Sequence, residues 1–154
     1  MPEKWIRVTS GKRRIKKKVF VELLPILKLD ETVDKLKEYF SGDSVVGIHG
    51  IYLYGSTSRR TNTAESDVDI MIIWKKTVLK RVYNIKKDLE EIFDRKVDVV
   101  CMIYKGKELH DFHLGDCTVT KQNEIFLSYV WTDSVSIIGD KDDIRLSLHI
   151  GKIS

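Results

Sequence analysis

The sequence predicts an α+β domain, one β-sheet with helices packed on it. Three observations carry that reading. Apolar runs of strand length recur at Ile48–Tyr54, Val68–Trp74, Val97–Tyr104 and Val135–Ile138. Around them lie stretches whose apolar residues return at helical spacing. A chain of 154 residues has room for one domain of ordinary size and not for a second large one.

The elements follow in order. Residues 4–10 alternate, Trp5, Arg7 and Thr9 with Ile6 and Val8, and Gly11-Lys12 separates them from residues 13–23. This pattern suits either a two-stranded basic ribbon or an arm. Pro25 interrupts Leu23–Leu29, so no helix runs through it. Asp30 is placed to cap a helix reaching Phe40, with Leu29, Val33, Leu36 and Phe40 as its apolar stripe. Ser41-Gly42-Asp43 ends it. Strand Ile48–Tyr54 leads into a polar loop, Thr57–Ser66, and then strand Val68–Trp74. Val78, Val82, Ile85, Leu89 and Ile92 define one face of a helix over 78–93. Strand Val97–Tyr104 follows, and 105–119 reads as loop. A third helix, Gln122–Trp131, is expected to bury Ile125, Phe126, Tyr129 and Val130. The short strand Val135–Ile138 ends at Gly139.

Composition excludes several classes. With 42% hydrophobic and 32% charged residues, the chain is globular rather than disordered. The apolar run Ile70–Trp74 is far too short to cross a bilayer, so no membrane role is expected. Lys4, Arg7 and Lys12 break any signal-peptide core. Cys101 and Cys117 make no disulfide framework, and a reducing, cytoplasmic setting is the default. The net charge of +4 is unevenly spread. Residues 1–28 carry nine basic and two acidic side chains, +7, and the remainder 18 basic and 21 acidic, −3. We therefore divide the chain into a basic N-terminal segment, 1–28, and a domain, 29–154.

The chemistry concentrates in YGSTSRRTNTAESDVDIMII, residues 54–73. Asp67 and Asp69 are two apart at the head of an apolar strand, so both carboxylates leave the same face. Ionising two close carboxylates is costly without a cation. Mg²⁺ takes oxygen ligands, commonly one or two carboxylates plus substrate phosphates. Gly55-Ser56 follows a strand and lacks the lysine of a Walker loop. Gly permits close backbone approach, and the Ser hydroxyl can donate to a phosphate. Asp98 interrupts the apolar strand Val97–Tyr104. It either caps a sheet edge or, if its strand lies beside Val68–Trp74, joins the first two aspartates as a general base.

On these residues the chain resembles the nucleotidyltransferases of the DNA polymerase β superfamily, and is similar to the small "minimal nucleotidyltransferase" proteins. The resemblance covers about residues 30–104, and more weakly the part through Gly139. It implies a mixed sheet flanked by helices, with Mg²⁺ (or Mn²⁺) held by Asp67, Asp69 and Asp98. It implies that Gly55 and Ser56 hold a nucleoside triphosphate, ATP among the candidates. The nucleoside monophosphate would pass to a hydroxyl of a protein or small molecule, with release of pyrophosphate. Minimal members usually continue Gly-Ser-x-Ala-x-Gly, where this chain has Ser58, Arg59 and Arg60 after Thr57. Arg59 or Arg60 then either reaches a phosphate or is a solvated loop charge. Two rival functions remain: nucleotide addition to a nucleic-acid 3′ end, and an antitoxin-like protein that acts by complexing a partner.

Weaker signals are read structurally. His110-Asp111-Phe112-His113 with Cys117 lacks the second paired set of a zinc site. Trp5, Trp74 and Trp131 are packing residues. Lys12–Lys18, six basic residues in seven, is either an edge strand guarded by lysine or a grip on nucleic-acid phosphates. If it grips nucleic acid, binding falls steeply with salt, and deleting residues 1–18 weakens it equally for all sequences. Filter binding across a salt series, with folding of the truncated chain checked, measures this. Sequence-dependent loss would rule out a pure phosphate grip.

Overall fold

The computed structural model describes residues 3–4, 19–20, 26–106, 108–111 and 123–144. At the N-terminus, β1 (Glu3–Lys4) pairs antiparallel with β2 (Val19–Phe20). These four residues form a ribbon apart from the main sheet, and Lys12–Lys18 lie outside the described residues. The body runs α1 (Leu29–Tyr39), β3 (Ile48–Tyr54), β4 (Val68–Trp74), α2 (Leu79–Phe93), β5 (Val97–Lys105), β6 (Glu108–Asp111), α3 (Asn123–Asp133) and β7 (Val135–Ile138). Among the described helices none is long and apolar enough to cross a membrane.

The main sheet has the order β6-β5-β4-β3-β7. Only β4 and β5 run parallel; the other described pairs are antiparallel, so the sheet is mixed. A parallel pair needs a crossover, and α2 supplies it. Alternation of side chains assigns the two faces. Val68, Ile70, Ile72 and Trp74 of β4 face α1 and α2 and pack with Leu36, Phe40, Val82, Ile85, Leu89 and Phe93. Met71 and Ile73 face the other way, with Tyr52, Tyr54, Val100 and Met102, against Leu127 and Val130 of α3 and Ile144. Strands buried on both faces read as continuous apolar runs, which is why β4 contains Ile70-Met71-Ile72-Ile73.

Several local readings need correction. Asp30 does not cap α1: Lys28 holds the cap position without a side-chain cap bond. Asp30 lies in the first turn, where its charge opposes the helix dipole. Residues 105–119 are not all loop, because β6 extends the sheet by pairing with β5. The third helix is rolled relative to expectation: Leu127 and Val130 are buried, whereas Ile125 is 78% exposed and Tyr129 is exposed. In α2, likewise, Val78 and Ile92 are exposed and Phe93 is buried in their place. Of the tryptophans expected to pack, Trp74 is fully buried, Trp131 is partly exposed, and Trp5 is outside the described residues.

This partition makes a stability prediction. Leu36→Ala, on the α1 stripe, should cost about 2–5 kcal/mol through lost burial and a residual cavity. Ile125→Ala should stay within about 0.5 kcal/mol. Denaturant unfolding of both variants checks the orientation of α3; a core-sized loss at Ile125 would contradict it.

Candidate active site

Three strand ends converge at one end of the sheet. Tyr54, the last residue of β3, is opposite Asp69, and Asp69 is opposite Asp98 across the parallel β4–β5 ladder. Paired residues share a face, so both carboxylates stand on the α3 side, beside Tyr54. The flanking pairs, Val68 with Val97 and Ile70 with Val99, are buried on the opposite face and fix the register. Asp67 precedes β4.

The electrostatics follow from this placement. Asp69 is pushed up from 3.8 to about 7, first by burial, then by the charge of Asp98 and a hydrogen bond shared with it, and then by Asp67. Lys96 works against the rise, its Nζ 3.4 Å from an Asp98 oxygen. The same contact raises the Lys96 ammonium. Tyr54 is raised by burial and by Asp69 and Asp98, so its phenol keeps its proton. The structure thus unites Asp69 and Asp98 as a hydrogen-bonded pair, with Asp67 near enough to act by its charge. Among the described residues no group of three or more His, Cys, Asp and Glu side chains is arranged to hold a metal ion.

The Gly55-Ser56 turn lies against the pair. Gly55 has φ 80°, and a Cβ there would sit 2.3 Å from Asp69 Oδ2. Only glycine fits both the left-handed backbone and the approach to the carboxylate. The turn is bound internally: Arg59 N–H donates to Gly55 O at 3.2 Å, Arg60 N–H to Thr57 O at 3.2 Å and Thr61 N–H to Ser56 O at 2.9 Å. Thr57 is sealed beneath it.

The two arginines diverge. Arg59 is directed to α3, where its guanidinium donates to the Tyr129 hydroxyl, lies over that ring and sits 3.7 Å from Asp133. Ser58 Oγ donates to the Asp133 carbonyl, so the turn is bolted to the helix at two neighbouring residues. Tyr54 extends the contact, edge-on to Phe126 and Tyr129. Arg60, at φ 58°, lines a cavity of about 460 Å³ with Leu27, Lys28, Asp30 and Asn62, away from the carboxylate pair.

Sequence reasoning missed Arg95. It is 1% exposed, and its guanidinium donates to Phe93 O at 3.0 Å and Ala64 O at 3.1 Å. A lone arginine between a polar turn and a strand gives no sequence signal of burial.

The family model "Polymerase beta, Nucleotidyltransferase" matches residues 34–124. The chain belongs to that family of nucleotidyltransferases. No protein of curated function matches it. Among solved structures it is similar to a toxin–antitoxin with AMP-PNP, at 21% identity and TM-score 0.53, covering 79% of this chain and 83% of that one. It is similar also to a mutant MntA–HpeT toxin–antitoxin, at 20% identity and TM-score 0.53, with the same coverage. A third is the tri-AMPylated HEPN toxin of Shewanella oneidensis in complex with MNT antitoxin, at 19% identity and TM-score 0.50, covering 81% and 83%. These likenesses concern the fold.

The Asp69 shift predicts a pH dependence. In the fold its carboxyl holds its proton to about 7, in the unfolded chain only to 3.8. The stability this confers is complete below 3.8 and is lost as pH rises through about 7. Thermal unfolding in chelator should therefore show Tm falling across that window, less steeply in Asp69→Asn. Parallel slopes would show that Asp69 does not titrate as a buried member of the pair.

Proposed function

We propose that this protein is a metal-dependent nucleotidyltransferase that passes a nucleoside monophosphate, AMP from ATP foremost, to a hydroxyl of a partner protein. The observation that carries the reading is the Asp69–Asp98 pair set against the left-handed Gly55 turn. Similar structures support the choice of nucleotide and acceptor, since one is a toxin–antitoxin with AMP-PNP and another an AMPylated toxin in complex with MNT antitoxin. A small-molecule hydroxyl is the other acceptor class. Nothing in the described residues supports a nucleic-acid 3′ end.

The carboxylates have the chemistry for a hard divalent ion, although no three side chains among the described residues stand grouped to hold one. Asp69, pushed toward neutrality by burial, by Asp98 and by Asp67, stands with Asp98 in a donor set that a cation relieves. Asp67, Asp69 and Asp98 would hold Mg²⁺ or Mn²⁺. When bound, the ion supplies charge neutralisation at the carboxylates and the phosphates. The chain's own groups do the rest. The Ser56 hydroxyl and backbone N–H groups of the turn bind phosphate oxygens, and the absence of a side chain at Gly55 lets them approach. Asp98 accepts the proton of the acceptor hydroxyl. The acceptor oxygen bonds to the α-phosphorus, the α–β phosphoanhydride bond breaks, and pyrophosphate leaves.

The test is incubation with labelled nucleoside triphosphates, Mg²⁺ and candidate acceptors, purified or in lysate. Label should pass from ATP to a protein. Asp69→Asn should lower transfer on the order of a hundredfold or more while the chain stays folded. Normal transfer in a folded Asp69→Asn would place the reacting centre elsewhere. Stable partner capture without any transfer would favour the binding-protein rival.

A further inference from the structure

Arg95 is a charge sealed where the surroundings ask for an apolar side chain. It sits in the turn from α2 to β5, between buried Phe93 and Val97, and is 1% exposed. Asp94 before it is left-handed, φ 52°, and this sharp turn closes α2. Burying a guanidinium costs several kcal/mol unless hydrogen bonds and charges around it compensate. A methionine would fill much of the same space at lower cost. The charge is therefore kept for what it bonds.

One of its acceptors is the Ala64 carbonyl, in the polar segment between the Gly-Ser turn and β4. Ala64 is three residues before Asp67. The bonds inside that segment are local: Thr63 N–H to Ser66 Oγ at 2.8 Å, Ser66 N–H to Thr63 O at 3.2 Å, and Glu65 N–H to Thr63 Oγ1 at 3.3 Å. Asn62 Nδ2 donates to Leu27 O at 2.7 Å and ties the start of the segment to the chain before α1. The Arg95 bond ties its middle to the turn before β5. The next residue, Lys96, completes the link: its carbonyl accepts from Val68 N–H at 3.0 Å, and its ammonium sits 3.4 Å from Asp98. Arg95 and Lys96 together touch both segments that bear the aspartates.

We propose that Arg95 is a positioning residue, whose buried guanidinium fixes the 61–67 segment so that Asp67 stands ready beside the Asp69–Asp98 pair to share a divalent cation. This rests on the nucleotidyltransferase reading above. Arg95 touches neither substrate nor ion and acts through the backbone at Ala64.

Arg95→Met and Arg95→Lys in the full-length chain test it. Four quantities are measured: melting temperature, amide hydrogen exchange resolved by segment, Mn²⁺ binding by calorimetry, and kcat and KM for ATP. Arg95→Met should remain folded, with faster exchange confined to 61–67. Its Mn²⁺ affinity should fall about ten- to a hundredfold, as when a group orienting a metal ligand is lost. The loss of activity should appear in kcat rather than KM. Arg95→Lys, which keeps a donor, should recover part of the Mn²⁺ affinity. Wild-type Mn²⁺ binding in folded Arg95→Met would overturn the proposal. So would exchange rising evenly through α2, β4 and β5, the mark of a mere core plug. If Arg95→Met does not fold, Arg95→Lys decides: unchanged Mn²⁺ affinity and exchange there sink the idea. A wild-type chain that neither binds Mn²⁺ nor transfers nucleotide removes the functional reading and this proposal with it. An active wild type with an unaltered 61–67 segment in Arg95→Met removes this proposal alone.

Discussion

Two carboxylates at opposed positions of a parallel ladder are the constraint on which this structure is built. Asp69 and Asp98 face each other across β4 and β5 at the end of a sheet that is otherwise apolar on both sides. Like charges so placed repel, and half-burial deepens the penalty. The rest of the fold holds them there regardless. A slip of one residue in β4 would carry the whole set Val68, Ile70, Ile72 and Trp74 to the wrong face, so the register cannot relax to separate the charges. The α2 crossover enforces the parallel direction that brings the starts of both strands to one end. The cost appears at Asp69, whose proton is held to about 7. A fold that sustains such a cost gains from it elsewhere, and the family to which the chain belongs indicates where.

The turn beside the pair obeys the same constraint. Asp69 leaves no space for a Cβ at position 55, and the left-handed backbone there excludes most residues independently. What would otherwise be a floppy polar connection is braced from two sides. Ser58 and Arg59 fasten its first half to Asp133 and Tyr129 of α3, and Arg95 fastens its second half at Ala64. Helix α3 is thus a cover for one sheet face through Leu127 and Val130, and a brace for the loop through its polar residues.

Much of this was legible in the sequence, for a physical reason. Strands β3, β4 and β7 were readable to the residue because each is an apolar run closed by glycine or polar residues. The placing of Asp69 opposite Asp98 could be read because strand alternation sets paired residues on a shared face, whereas Asp67 precedes β4 and lies outside that ladder. What escaped depends on partners that no local pattern names. β6 is four residues whose strand identity comes from pairing with β5. The roll of α3 is set by its contacts with Tyr54 and Arg59, so Ile125 is exposed although it is the more apolar choice. The Asp30 reading failed because a good capping residue two positions past the cap is only a first-turn acid. Arg95 escaped because arginine is a surface residue by default, and partners distant in sequence or in the turn, the carbonyls of Ala64 and Phe93 among them, make its burial tolerable.

The pair also has the property of a conditional site. A carboxyl that holds its proton to about 7 is divided between protonated and ionised forms near neutrality. On the proposed reading, a divalent cation and that proton compete for the same oxygens, so cation uptake releases the proton and becomes easier as pH rises. Lys96 moderates this competition, because its ammonium beside Asp98 favours the ionised form without filling the site between the carboxylates. The lysine is more than half exposed and flexible, so solvent and salt weaken its influence. Asp69 and Asp98 are fixed by two buried strands, and on the proposed reading a cation and a triphosphate would meet them beside an exposed ammonium and a braced polar loop.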